Sequence, residues 1–142
     1  MKLQLVSLTG IKYDDEAYEV VIPTAEGAIA VYDGHMPLVS LAVPGLLSVR
    51  KQKSDSDSAR QEFASAGGVV EIDSTTVRIL VDEAEKAEDI VAAEAQAAFE
   101  RAQKMKAEAT SQVEIERAQA LMDRHAARLH IADLRRRHHP KV

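Results

Sequence analysis

The stretch TVRILVDEAEKAEDIVAAEAQAAFERAQKMKAEA (76–109) decides the architecture, because its hydrophobic period changes partway along. Val77, Ile79 and Val81 recur at every second residue, the spacing of a strand that buries one face. From Glu83 the pattern is different. Val91, Ala95, Ala98, Ala102, Met105 and Ala109 step by four and three, which places them on one stripe of an α-helix. No glycine follows Gly68, and the only later proline is Pro140, so nothing interrupts this helical half.

Toward the N terminus the strand period persists. Leu3 and Leu5 alternate with polar neighbours, as do Tyr18, Val20 and Ile22, and then Leu47 and Val49. Turn chemistry separates them at Gly10, Pro23, Gly27, Asp33-Gly34, Pro44-Gly45, Gly67-Gly68 and Asp73-Ser74. The segment SDSDS (54–58) reads as a solvated hairpin tip. Short strands with turns every eight to twelve residues or so predict an antiparallel sandwich or flattened barrel over residues 1–84.

Toward the C terminus, Thr110-Ser111-Gln112 forms a polar link. A second stripe follows in Ile115, Ala118, Met122, His125, Leu129 and Ala132. Two helices joined by so short a link run antiparallel with their seams facing, so residues 85–142 read as an αα-hairpin. Its first seam is mostly alanine, and each buried methyl contributes only about 0.8 kcal/mol. Such a seam suits either a plain close-packed hairpin or a docked state only a few kcal/mol below an alternative.

Composition narrows the function classes. At 142 residues the chain suits one domain or two small ones, and 46% hydrophobic residues allow an ordinary core. There is no cysteine, which excludes disulfides and thiolate metal sites. The start MKLQLVSLTG lacks a cleavage-like site, and no apolar run is long enough to span a bilayer. The expectation is a cytoplasmic protein that reaches a membrane only through a partner.

Net charge is −5 but unevenly placed: residues 1–83 carry 7 basic and 13 acidic side chains, residues 84–142 carry 11 and 10. The C-terminal end is locally basic. Arg117, Arg124, Arg128 and Arg135 fall within about 40° on a helical wheel, beside the seam. Arg124 and Arg128, four apart, repel within one helix. The row suits an anionic partner, or else a solvated face whose Arg135, Arg136 and Arg137 complement the helix dipole.

Other chemistry is weakly signalled. His35 lies in DGHMPL near Asp33, with Glu26 upstream, but no serine or cysteine elbow accompanies it. It reads as a loop histidine rather than the base of a hydrolase. His125 and His130 do not share a helical face as a metal pair would, and His138 and His139 belong to the tail, so no metal site is expected. Gly67-Gly68 lacks the Lys-Ser/Thr of a phosphate loop. Overall acidity and few aromatics argue against nucleic acid as a partner.

The order of parts resembles one family. EGAIAVYDGHMPLVSLAVPGLLSVR (26–50) is similar to the signature of the epsilon subunit of F-type ATP synthases: a Gly-containing strand, a Gly-His-x-Pro-Leu loop and a Pro-Gly turn. FASAGGVVEIDSTTVRILVDEAEKAEDI (63–90) resembles its Gly-Gly strand pair and first helix, and ERAQALMDRHAARLHIADLRRR (116–137) its second helix.

The resemblance implies a sandwich of about ten antiparallel strands followed by a two-helix domain, and a non-catalytic rotor subunit. The sandwich would grip the gamma subunit and sit on the c-ring. Candidate contacts are Glu26, Gly27, His35, Met36, Pro37 and Leu38. The helices would fold back or extend toward the catalytic alpha and beta subunits and inhibit ATP hydrolysis, with Arg117, Arg124, Arg128 and Arg135 meeting acidic residues there. The complex would lie on the cytoplasmic face of a bacterial plasma membrane.

Two departures from the family pattern stand out. Where relatives that bind ATP carry Ile-Asp-x-x-Arg-Ala, this chain reads Ile90-Val91-Ala92-Ala93-Glu94-Ala95. Ile90 and Ala95 match, and Arg101, Arg124 and Arg128 occupy arginine positions, but Glu94 would repel a phosphate. ATP is therefore expected as a weak regulatory ligand at most, and no other cofactor. Ala28 stands where a ring-facing glutamate would, which leaves that contact to Glu26 or other loop residues. A free-standing nucleotide sensor and a small hydrolase built on His35 and Asp33 are the rival readings.

Overall fold

The computed structural model describes residues 1–138, His138 as backbone alone; His139 and Pro140, named above, lie outside the described residues. The chain divides into two compact units, Met1–Lys86 and a second that begins at Ala87.

The first unit holds ten strands: β1 (Lys2–Ser7), β2 (Gly10–Glu16), β3 (Glu19–Thr24), β4 (Gly27–Tyr32), β5 (Leu38–Ala42), β6 (Gly45–Arg50), β7 (Gln61–Ser65), β8 (Gly68–Ile72), β9 (Thr76–Val81) and β10 (Ala84–Lys86). They form one hydrogen-bonded path, β10-β7-β6-β3-β5-β8-β9-β1-β2, with β4 on the free side of β3. The path turns a corner at β3, whose first half pairs with β6 and whose Thr24 pairs with Ala42 of β5. The result is a flattened β-sandwich. One pairing departs from the antiparallel expectation: β1 runs parallel to β9.

Alternation explains the core. Leu3 and Leu5 of β1, Val20 and Ile22 of β3, Leu47 and Val49 of β6, and Val77, Ile79 and Val81 of β9 are all buried. Val70, Ile72, Val31 and Phe63 join them, with Tyr13 packed edge-on against Phe63 at 6.4 Å between centroids. Tyr18 differs from expectation: it precedes β3 and is partly exposed, stacked edge-on with Tyr32 at 5.6 Å. Its hydroxyl-bearing ring packs at the surface while Val20 and Ile22 carry the buried period.

Gly67-Gly68 is explained by crowding. Gly67 adopts φ +89°, and a Cβ there would stand 2.8 Å from the Ala42 carbonyl oxygen. At Gly68 a Cβ would overlap the Leu80 carbonyl oxygen and stand 2.8 Å from Val81 Cα. The pair lets β8 enter the sheet against β9.

The second unit is the hairpin of α1 (Ala92–Glu108) and α2 (Gln112–His138). Ala95, Ala102 and Ala118 are fully buried, and Lys106 Nζ donates to Gln119 Oε1 at 2.6 Å across it. Two seam assignments need correction. Val91 is not in the seam but caps α1 in extended conformation, 49% exposed, and Met105 is equally open. The seven-residue spacing of Ala95 and Ala102 confines the closest approach to a line of methyls, and Val91 and Met105 fall outside it.

Candidate partner-binding surfaces

The residues singled out in the sandwich do not form one cluster. Glu26 and Gly27 occupy the tight turn joining β3 to β4, where Thr24 Oγ1 donates to the Gly27 carbonyl at 2.5 Å. His35, Met36 and Pro37 lie in the loop after β4, and Leu38 opens β5. The six residues of β4 separate the two groups by roughly 17–20 Å at strand rise. They therefore lie at opposite ends of β4 and do not make one compact site.

The His35 loop is held locally. His35 N–H donates to the Tyr32 carbonyl at 3.1 Å, its ring Nδ1 lies 2.7 Å from the Met36 carbonyl, and Gly34 N–H donates to Ser74 at 2.8 Å. Asp33 lies 4.0 Å from the Met1 amine rather than orienting the imidazole. The geometry is that of a satisfied loop histidine beside an exposed Met36.

A surface that the sequence reading missed lies on the outer face of β5-β8-β9-β1-β2. Register places Leu41 beside Val69, Val69 beside Leu80, Leu80 beside Val6 and Val6 beside Ile11. Leu41 is 68% and Ile11 65% exposed. Four interstrand steps make this apolar row about 19 Å long. The adjacent row on the same face is mostly polar: Val39, Glu71, Arg78, Gln4 and Asp14, with Arg78 and Glu71 paired at 3.8 Å and Gln4 Nε2 3.5 Å from Asp14. An apolar row of this length on a solvated face marks a contact surface. Its signal was present in the sequence: RILV and LVSLA are apolar at both parities, more than a half-buried strand needs.

In the hairpin, the arginines do not form a purely solvated face. Arg117 is exposed, but Arg124, Arg128 and Arg135 are half-buried. Ile131, 1% exposed, falls among them, all within roughly 60° on the wheel. Arg135 Nη1 donates to the buried Ala87 carbonyl at 2.9 Å, and Arg128 Nη1 lies 3.2 Å from His125 Nδ1. Arg136 and Arg137 instead pair with Asp133 at 2.8 and 2.9 Å.

The nucleotide-position residues are dispersed along this hairpin. Ile90 precedes α1, the Ala95 methyl is fully buried, and Arg101 is exposed about three turns of helix from Ile90's end. Glu94 sits in the first turn of α1, where its charge complements the helix N-terminus and opposes an anion. Among the described residues no group of His, Asp and Glu is arranged to hold a metal ion, and no helix is long and apolar enough to cross a membrane.

Residues 1–87 match the family described as ATP synthase, Delta/Epsilon chain, beta-sandwich domain. Curated relatives extend the likeness along the chain. The ATP synthase epsilon chain of Gloeobacter violaceus is 30% identical over 132 residues, 93% of this chain and 96% of that one. That of Desulforudis audaxviator is 37% identical over 103 residues, 72% of each. The chloroplastic epsilon chain of Adiantum capillus-veneris is 33% identical over 129 residues, 91% and 94%. Among solved structures, a chain of the Euglena gracilis mitochondrial ATP synthase (OSCP/F1/c-ring) superposes with TM-score 0.71 at 20% identity, covering 88% of this chain and 76% of that one. A chain of the Tetrahymena thermophila mitochondrial ATP synthase central stalk and c-ring gives 0.62 at 16%, covering 93% and 96%. With its sandwich matched over more than half its length and its relatives aligned into the helices, the chain belongs to the epsilon-chain family of ATP synthases.

Proposed function

We propose that this chain is a non-catalytic rotor subunit of the central stalk, peripheral on the cytoplasmic face of a bacterial plasma membrane. Its sandwich binds the gamma subunit and rests against the c-ring, and its hairpin restrains ATP hydrolysis by the alpha and beta subunits. The observation that carries this reading is the five-strand apolar row from Leu41 to Ile11, which suits a packed, torque-bearing contact and offers nothing for bond chemistry. The turn at Glu26-Gly27 and the loop at His35–Leu38 are the sandwich's further contacts. Affinity purification of the tagged chain from membranes is expected to bring down gamma with the catalytic subunits; recovery of the chain alone refutes the assignment.

In the extended state Arg117, Arg124, Arg128 and Arg135 meet acidic residues of the catalytic head. Leaving a half-buried site costs Arg135 its bond to Ala87, so extension exchanges one set of charge contacts for another. Combined reversal of Arg124 and Arg128 to glutamate is expected to raise hydrolysis by the assembled enzyme; unchanged hydrolysis removes these side chains from the mechanism. ATP binds the isolated hairpin weakly at most, given Glu94 at the phosphate position. A clear rise in melting temperature at millimolar ATP is the contrary result.

A further inference from the structure

Length is unevenly shared in the hairpin: α1 has 17 residues and α2 has 27. The link between them is short, so the additional residues carry α2 about 15 Å past the start of α1. That overhang holds Ile131 and Arg135, four apart and therefore on one face. The chain covers it on the way in. Ala87–Asp89, a single 3₁₀ turn at the head of the second unit, packs against α2.

One oxygen joins the turn to the overhang. The Ala87 carbonyl accepts Arg135 Nη1–H at 2.9 Å and the Ile90 N–H at 3.3 Å. Ala87 is 2% exposed, so water is poorly placed to replace a lost donor. α1 itself begins weakly, since Val91 at its N-cap is extended and makes no side-chain cap hydrogen bond. Arg136 and Arg137 behave differently. Both pair with Asp133 in their own helix, whereas Arg135 reaches 48 residues back along the chain.

We propose that Arg135 is the clasp of the closed hairpin, fastening the turn through which the chain enters α1 to the far end of α2. α2 cannot swing away from α1 without breaking that bond. The bond is also exchangeable. A guanidinium can hold a carboxylate by two charge-assisted bonds and this carbonyl by one, so an acidic surface draws Arg135 off Ala87. Arg135 is thus a positioning residue that biases the hairpin toward its closed form until such a surface is met. The regulatory consequence rests on the restraint of hydrolysis assigned above; the clasp itself does not.

Amide hydrogen exchange of the isolated full chain reads the clasp at two places. One is Ile90, bonded to Ala87; the other is Ala95, whose N–H donates to the Val91 carbonyl at 3.0 Å in the first turn of α1. In Arg135→Gln both amides are expected to exchange at least about tenfold faster, with Phe63 of β7 unchanged. Arg135→Lys keeps the charge and should fall between. Arg136→Gln, which gives up its pair with Asp133, should match wild type. In the assembled ATP synthase Arg135→Gln frees the hairpin to open and is expected to lower ATP hydrolysis at least about twofold. That sign is opposite to the one expected for reversal of Arg124 and Arg128. Wild-type exchange at Ile90 and Ala95 in Arg135→Gln overturns the clasp and leaves the rotor assignment standing. Faster exchange with hydrolysis unchanged or raised overturns its regulatory role. A wild-type chain that never joins the complex overturns that role and the assignment beneath it.

Discussion

Glu19 and Arg60, 41 residues apart in sequence, form a largely buried ion pair in which Arg60 Nη2 donates to Glu19 Oε2 at 2.7 Å. The same oxygen lies 3.1 Å from Arg50 Nε, and Tyr32 donates its hydroxyl to Oε1 at 2.9 Å. Asp57 accepts from Arg60 Nε at 3.0 Å and from Arg50 Nη2 at 2.5 Å. One carboxylate on β3 thereby ties β4, β6 and the polar excursion between β6 and β7 into one piece. The SDSDS segment is consequently anchored through Asp57 rather than free, although it does connect two antiparallel strands as its composition suggested.

Removing Glu19 leaves two guanidinium groups facing each other in a partly desolvated site. Glu19→Ala is expected to lower unfolding free energy by about 3 kcal/mol, the range for breaking a buried pair from one side. Urea denaturation at neutral pH measures it, and a loss below about 1 kcal/mol would show that water or Asp57 alone compensates.

Gly68 offers a sharper steric test. Its missing Cβ would overlap a main-chain carbonyl of β9, and backbone cannot move aside as a side-chain tip does. Gly68→Ala is expected to cost about 3 kcal/mol, well beyond the usual effect of adding one methyl. Gly34→Ala, strained at φ +80° but with open space around it, is expected to cost less. Equal melting temperatures for the two variants would refute the crowding argument.

Period and turn chemistry were enough to place the two halves of the chain, because alternation at Val77-Ile79-Val81 and the alanine stripe from Ala95 are local signals. The parallel pairing of β1 with β9 was not legible, since register between strands some seventy residues apart is decided by long-range packing. Ile131 was missed for a related reason. It lies off the Ala118 seam and among arginines, and only the tertiary fold makes that position an interior one. The apolar row escaped notice because its members come from five strands and meet only through register, although each strand separately carried the surplus apolar residue.

Charges placed in that row test it directly. Leu41 and Ile11 are exposed, so Leu41→Glu and Ile11→Lys are expected to change stability by no more than about 0.5 kcal/mol. Affinity for the isolated gamma subunit is expected to fall at least roughly tenfold in each, because burying an unpaired charge in an apolar contact is costly. Unaltered affinity with both substitutions combined would show that gamma binds elsewhere.

The link between the helices is set by a reciprocal cap. Ser111 Oγ accepts the Glu114 N–H at 3.2 Å, while Glu114 Oε2 accepts the Thr110 N–H at 2.9 Å and the Thr110 hydroxyl at 3.2 Å. Those bonds, the Thr110 amide first, hold the Glu114 carboxyl below its ordinary value. A carboxyl depressed in the folded state stabilises fully above the unfolded value and stops doing so as pH falls through the folded one. The turn is therefore firm at neutral pH and loosens only on acidification below the ordinary glutamate range. Carboxyl-carbon NMR should give Glu114 a midpoint under about 4.3, the value of an unperturbed glutamate. Ser111→Ala should cost about 1 kcal/mol by deleting the other half of the cap. A Glu114 midpoint at or above the unperturbed value would mean that the carboxylate is not bonded to Thr110 in solution, and that α1 and α2 are joined by a slack link rather than a fixed corner.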